Sequence, residues 1–120
     1  VAGANIEGKT AAPEWVSAVK NVAKNKNVYC KISGLFQQSN RQPSPKDVSF
    51  YQSELDVLWS NFGADRLIYG SNWPVTMRGG TYAEYLAIVK SFFADKPRTA
   101  QKKYFYQNAL KFYGLPPLKR

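Results

Sequence analysis

Histidine is absent from this 120-residue chain, and cysteine and methionine occur once each. Without His the chain lacks the commonest metal ligand and the commonest general base near neutral pH, so no complete His-dependent active site lies within it. A single Cys excludes an internal disulfide framework and the Cys-based zinc patterns. No apolar run approaches the roughly 20 residues that span a bilayer, and no charged-then-apolar leader opens the sequence. These absences predict a soluble chain with no membrane partner. Cys30 reads as a reduced, buried thiol, which is compatible with the cytoplasm.

Acidic residues are also scarce, with 8 Asp and Glu against 17 Lys and Arg, a net charge of +9. A nucleic-acid site would use such an excess to neutralise phosphates. The distribution speaks against it. From Lys90 onward eight basic residues face one acid, Asp95, so +7 of the total sits at the C-terminal end. No basic run there is longer than Lys102-Lys103, the pattern of a solvated helix face, and no nucleic-acid partner is expected.

What is present is a chain that should fold: 44% of its residues are hydrophobic and 15% aromatic. From Pro13 to about Lys26, Trp15, Ala18, Val19, Val22 and Ala23 recur at amphipathic-helix spacing, with Thr10 as the predicted N-cap. Asn27 to Ser33 reads as a strand closed by Gly34, and Gln37 to Pro45 as a long polar loop. Asp47 or Ser49 can cap a second helix that buries Tyr51, Leu55, Leu58, Trp59 and Phe62 and stops at Gly63. Arg66 to Gly70 is a second strand, running into the breaker-rich loop Ser71 to Gly80. Thr81 caps a third helix with Tyr82, Tyr85, Leu86, Val89, Phe92 and Phe93 on one face. A fourth, Thr99 to about Phe112, presents Phe105, Ala109 and Phe112.

Strands alternating with helices predict an α/β fold with parallel pairing. Two strands alone cannot form a covered parallel sheet, so the chain is expected to be a piece of a larger domain; it also opens at Val1 in loop-like sequence. The strands begin about 39 residues apart, near the spacing of a (β/α)8 barrel of roughly 250 residues shared among eight units. Expressed alone, such a piece should be insoluble, oligomeric or molten.

In these folds the chemistry gathers at the C-terminal ends of the strands. Alternation along the first strand puts Tyr29, Lys31 and Ser33 on one face, turned away from the helices. Lys31 would then be an inward ammonium, serving either in a structural ion pair or as an electrophilic group for an anionic substrate. At the mouth of the second strand, Gly70 allows close backbone approach and Pro74 restrains Trp73. Asn72 is then either oriented at a substrate or water, or folded back as an Asx turn.

Three motifs appear in order: Asn27-Val28-Tyr29-Cys30-Lys31-Ile32-Ser33-Gly34-Leu35; Phe62-Gly63-Ala64-Asp65-Arg66-Leu67-Ile68-Tyr69-Gly70-Ser71-Asn72-Trp73-Pro74-Val75; and Asn108-Ala109-Leu110-Lys111-Phe112-Tyr113. With them the chain resembles, along nearly its whole length, the C-terminal part of the amidohydrolase-related (amidohydrolase-2) hydrolases. These are metal-dependent TIM-barrel enzymes that include lactonases of sugar and dicarboxylate lactones. The resemblance implies that residues 1–120 form the C-terminal fragment of one (β/α)8 domain, its two strands being the seventh and eighth. It implies hydrolysis of a lactone or amide-like bond of a small, sugar-derived or carboxylated substrate, with a divalent metal, Zn or Mn, in the whole protein. The His ligands of such a metal are expected upstream, so no metal ligand is assigned within the chain.

The acidic residue that serves relatives as base, and often as metal ligand, falls on Asn72. This is a departure: an amide cannot take a proton from water at neutral pH and carries no charge for a cation. Another residue supplies the base, or the barrel binds a sugar-like ligand without hydrolysing it, or catalysis proceeds with altered chemistry. Within the hydrolytic reading Asn72 positions the water, Lys31 or Arg78 orients an anionic substrate, Ser33 contributes a hydroxyl, and Trp73 stacks on a sugar ring. The expected partners are a small-molecule substrate and the rest of the same barrel.

Overall fold

The computed structural model describes residues 1 and 3–119. Its elements are α1 (Pro13–Ala23), β1 (Cys30–Ile32), a short α2 (Leu35–Gln38), α3 (Gln52–Phe62), β2 (Leu67–Tyr69), α4 (Tyr82–Phe93), α5 (Arg98–Lys102) and α6 (Asn108–Tyr113). The strands pair in parallel, Cys30 opposite Leu67, Lys31 opposite Ile68 and Ile32 opposite Tyr69. A parallel pair requires a crossover, and the segment containing α3 supplies it, packing on both strands and on α1. The chain is thus mixed α/β, as the alternation predicts. None of the described helices is long and apolar enough to cross a membrane.

Alternation assigns the two faces of the strand pair. Ile32 and Leu67 are fully buried and belong to the core with Leu55, Leu58, Phe36, Tyr85, Val89 and Phe93. The ring of Phe93 stacks on Tyr104 at 4.1 Å, closing the core on the C-terminal side. The opposite face carries Lys31 and meets the end of α6: Tyr29 packs on Phe112 at 5.1 Å, and the Lys31 ammonium lies 5.3 Å from the Tyr113 ring centre. Strand alternation turns Lys31 away from the helices, and the side chain is exposed on that face, beside Tyr113.

Helix ends follow local chemistry. Asp47 accepts the Ser49 N–H at 2.9 Å and starts a single 3-10 turn, Val48–Tyr51, that leads into α3. Gly63, at φ 67°, ends α3. Thr81 and Glu84 form a capping box on α4, with the Glu84 N–H donating to Thr81 Oγ1 at 3.2 Å and the Thr81 N–H to Glu84 Oε2 at 2.7 Å.

Three expectations change. Thr10 does not cap α1; Ala12 is the N-cap residue, its methyl side chain offers no acceptor, and Pro13 at the first helical position fixes the helix start. The predicted loop from Gln37 begins as the last half of α2, whose Leu35 and Phe36 are completely buried. The fourth helix is interrupted by a π-type segment, Lys103–Gln107, between α5 and α6. The wider turn rotates the following residues, so Tyr104 is buried while Phe112, predicted on the covered face, is 48% exposed.

Candidate functional site

Both strands end at one mouth. Gly70 follows β2, and its N–H donates to the Ile32 carbonyl at 3.1 Å. A Cβ on Gly70 would lie 2.8 Å from the Ser33 Cβ, so only glycine lets the two strand ends approach this closely. The Ile32 carbonyl also accepts from Tyr85 Oη at 3.2 Å and Tyr104 Oη at 3.4 Å. Burial pushes both phenols above their ordinary range, so they act as neutral donors that fix the end of β1.

Asn72 stands at φ 55°, a left-handed conformation that Asn adopts more readily than most residues. Its backbone carbonyl accepts the Thr76 N–H at 3.0 Å and begins the 3-10 turn Val75–Arg78. Its side chain does not fold back on the loop. Nδ2 donates instead across the mouth to Gln37 Oε1 at 3.3 Å. The side-chain turn of this loop is made by Ser71, whose Oγ accepts the Trp73 N–H at 3.2 Å. Gly34, at φ 72°, underlies the pair: a Cβ there would sit 3.3 Å from Gln37 Oε1 and 3.4 Å from Asn72 Nδ2.

The structure therefore brings Asn72 beside Gln37 and Ser33 beside Gly70, with Trp73, 61% exposed, next along the chain. It directs the Lys31 ammonium to Tyr113. Arg78 is exposed in a shallow cleft of about 490 Å³ that it shares with Lys46, Met77 and Glu84. Lys46 Nζ donates to the Gly79 carbonyl at 2.7 Å and to the Ser44 carbonyl, tying the loop after β1 to the loop after β2. Sequence reasoning missed both Gln37 and Lys46. Gln37 lies in α2 and Lys46 in the loop before α3, and neither stretch carries a sequence signal of which side chain turns inward.

Around Asn72 the donors are carboxamides and hydroxyls, without formal charge. Among the described residues no three His, Cys, Asp or Glu side chains come together to hold a metal ion. These residues do not fit a divalent cation by themselves, which takes anionic oxygen, imidazole or thiolate ligands.

Residues 2–115 match the sequence profile of the family described as Amidohydrolase. The chain belongs to the amidohydrolase family. Two curated relatives are named L-fucono-1,5-lactonase. The one from Burkholderia multivorans is 29% identical over 110 residues, covering 89% of this chain and 37% of the relative. The one from Burkholderia ambifaria is 37% identical over 71 residues, covering 59% and 23%. A solved amidohydrolase of Burkholderia multivorans with bound Zn superposes with a TM-score of 0.77 at 27% identity, over 85% of this chain and 37% of that one. Amidohydrolase 2 of Bifidobacterium longum, at 23% identity and a TM-score of 0.64 over 88% of this chain and 35% of that one, shares the fold. This amidohydrolase chain thus spans little more than a third of the length of the relatives it matches most fully.

Proposed function

We propose that the chain supplies the seventh and eighth strands of a (β/α)8 hydrolase that opens a lactone of a small, sugar-derived substrate. Three features support the reading: the parallel strand pair with its helical crossover, the polar residues gathered at the strands' C-terminal ends, and the relatives named lactonases. The observation that carries it is Asn72, whose carboxamide stands across the mouth and not on its own loop. In the reaction the oxygen of water bonds to the carbonyl carbon, the acyl C–O bond breaks, and the ring oxygen leaves as a hydroxyl after gaining a proton. Asn72 hydrogen-bonds and positions the water; as an amide it does not take the proton, and the base lies in the remainder of the barrel. Ser33 lends a hydroxyl, Trp73 stacks on the sugar ring, and Arg78 or Lys31 orients a carboxylated substrate. A divalent ion, Zn or Mn, would be held by histidines of the remaining strands and would polarise the carbonyl. The partners are the small-molecule substrate and the rest of the barrel, and the cytoplasm is the proposed location.

One observation favours a second reading. The uncharged Asn72 suits a barrel that binds a sugar-like ligand without turning it over. Lactone hydrolysis and metal content of the full-length protein and its Asn72→Asp variant separate the two. Turnover lowered or raised by the exchange places Asn72 at the reacting centre; unchanged turnover and metal content remove it. Ligand binding without turnover in the native protein favours the second reading.

A further inference from the structure

Gln37, in α2, and Asn72, in the loop after β2, come from different segments, yet their carboxamides share one hydrogen bond, and each has one polar atom left over. Gln37 Nε2 is fully buried and has no partner within the described chain. On the other side, Asn72 is exposed, and with Nδ2 engaged on Gln37 its Oδ1 is the free end of the carboxamide. Rotating both carboxamides together reverses the pair. Nε2 then donates to Oδ1, Gln37 Oε1 takes the buried unpartnered position, and Nδ2 becomes the free end. The pair thus offers a ligand an acceptor in one setting and a donor in the other, always without charge.

We propose that Gln37 is the specificity-determining partner of Asn72, and that together they read a neutral hydroxyl of the substrate. This rests on the hydrolytic reading for what the ligand is, and goes beyond it in naming the group recognised. A hydroxyl both donates and accepts, so it matches the pair in either setting. A carboxylate accepts only, and a bare methylene does neither. An uncharged pair also gives a substrate carboxylate none of the charge assistance that shortens and strengthens its hydrogen bonds. Gln37 acts through Asn72 and is a positioning residue: by holding one end of the Asn72 carboxamide it decides which end faces the mouth. Gly34 makes room for both groups, since a Cβ there would press on Gln37 Oε1 at 3.3 Å and Asn72 Nδ2 at 3.4 Å. An acid in place of Asn72 would only accept, and would lose this ambivalence.

The test compares two six-membered lactones on the full-length protein: L-fucono-1,5-lactone, which carries ring hydroxyls, and δ-valerolactone, which has none. Gln37→Leu should lower kcat/KM for the hydroxylated lactone about tenfold, the worth of one neutral hydrogen bond, and leave that for δ-valerolactone nearly unchanged. Gln37→Glu, which keeps an acceptor for Asn72 Nδ2, should restore most of the loss. An equal fall for both lactones, or no fall, overturns the proposal while turnover by the native protein leaves the hydrolytic reading standing. Where the native protein hydrolyses neither lactone, the comparison is made by calorimetric binding of L-fuconate and valerate, which has no hydroxyl. Selective loss of L-fuconate binding in Gln37→Leu then supports the proposal although hydrolysis has failed. Binding of neither compound, or equal loss of both, overturns it.

Discussion

Asn108, at the start of α6, donates its buried side-chain amide to the carbonyl of Leu67, the first residue of β2, at 2.8 Å. The same Nδ2 donates to the Ala64 carbonyl at 2.8 Å. One carboxamide therefore ties α6 to the start of β2 and to the turn that precedes it. The Asn108-Ala109-Leu110 motif has a structural reason here. Replacing Asn108 with Leu leaves two carbonyls without their donor and should destabilise the full-length protein by about 2–3 kcal/mol, read from urea unfolding.

Gly79 is buried where the two loops meet. A Cβ there would lie 2.2 Å from Ser44 Oγ and 2.7 Å from the Phe36 Cβ. The Ser44 hydroxyl already donates to the Phe36 carbonyl at 2.9 Å, and the Ser44 N–H to the Gly79 carbonyl at 2.9 Å, so neither loop can step aside. Gly79→Ala should lower stability by about 1–3 kcal/mol through overpacking, and Lys46→Met should cost less because Lys46 itself is exposed. Thermal unfolding of the two variants checks the order.

Glu54 is 2% exposed in the first turn of α3, and its Oε2 has no partner among the described residues. Burial pushes its carboxyl above the ordinary glutamate range. The folded state then binds the proton more tightly than the unfolded state does. The contribution is fully present below the unfolded pKa of about 4.3 and is lost as pH rises through the higher folded value. Glu54→Gln should therefore raise the melting temperature at pH 7 and leave it unchanged near about pH 4. A shift of equal size at both pH values would contradict the assignment.

Lys31 touches Tyr113 through an exposed cation–π contact, worth about 0.5–1 kcal/mol. Lys31→Met should cost no more than that, and should leave KM for a neutral lactone where it was. A severalfold rise in KM would assign Lys31 to the substrate.

Much of the fold was legible because short-range chemistry decides it. Asp47 and Thr81 cap, Gly63 stops a helix, and the apolar spacing from Tyr51 to Phe62 marks the covered face of α3, all within a turn or two of the residue concerned. Where the reading failed, a distant partner intervened. The π segment after Lys102 belongs to a stretch where Tyr104 stacks on Phe93 and reaches the Ile32 carbonyl, contacts far along the chain. The burial of Leu35 and Phe36 likewise depends on Tyr51 and Tyr85, against which the Phe36 ring packs at 6.2 and 5.5 Å.

Of the candidate site, Asn72 and its placement after a strand could be read from the order Gly70-Ser71-Asn72-Trp73-Pro74. Its partner could not. Gln37 is one of several polar residues in a stretch that reads as loop although it ends α2, and 35 positions separate it from Asn72.

The lack of His, the alternation of helix with strand and the motif sequence already determined that this chain is α/β, that it belongs with the amidohydrolases and that it carries no His-dependent site of its own. The first and last of these reside in spacing and composition along the chain, and the second in the resemblance carried by its three motifs. The tertiary structure alone decided that Lys31 goes to Tyr113, that Asn72 crosses to Gln37 and that Lys46 joins the two loops. Each is a contact between segments brought together by the parallel pairing of β1 and β2, and a side chain's direction across such a gap depends on the packing of everything around it.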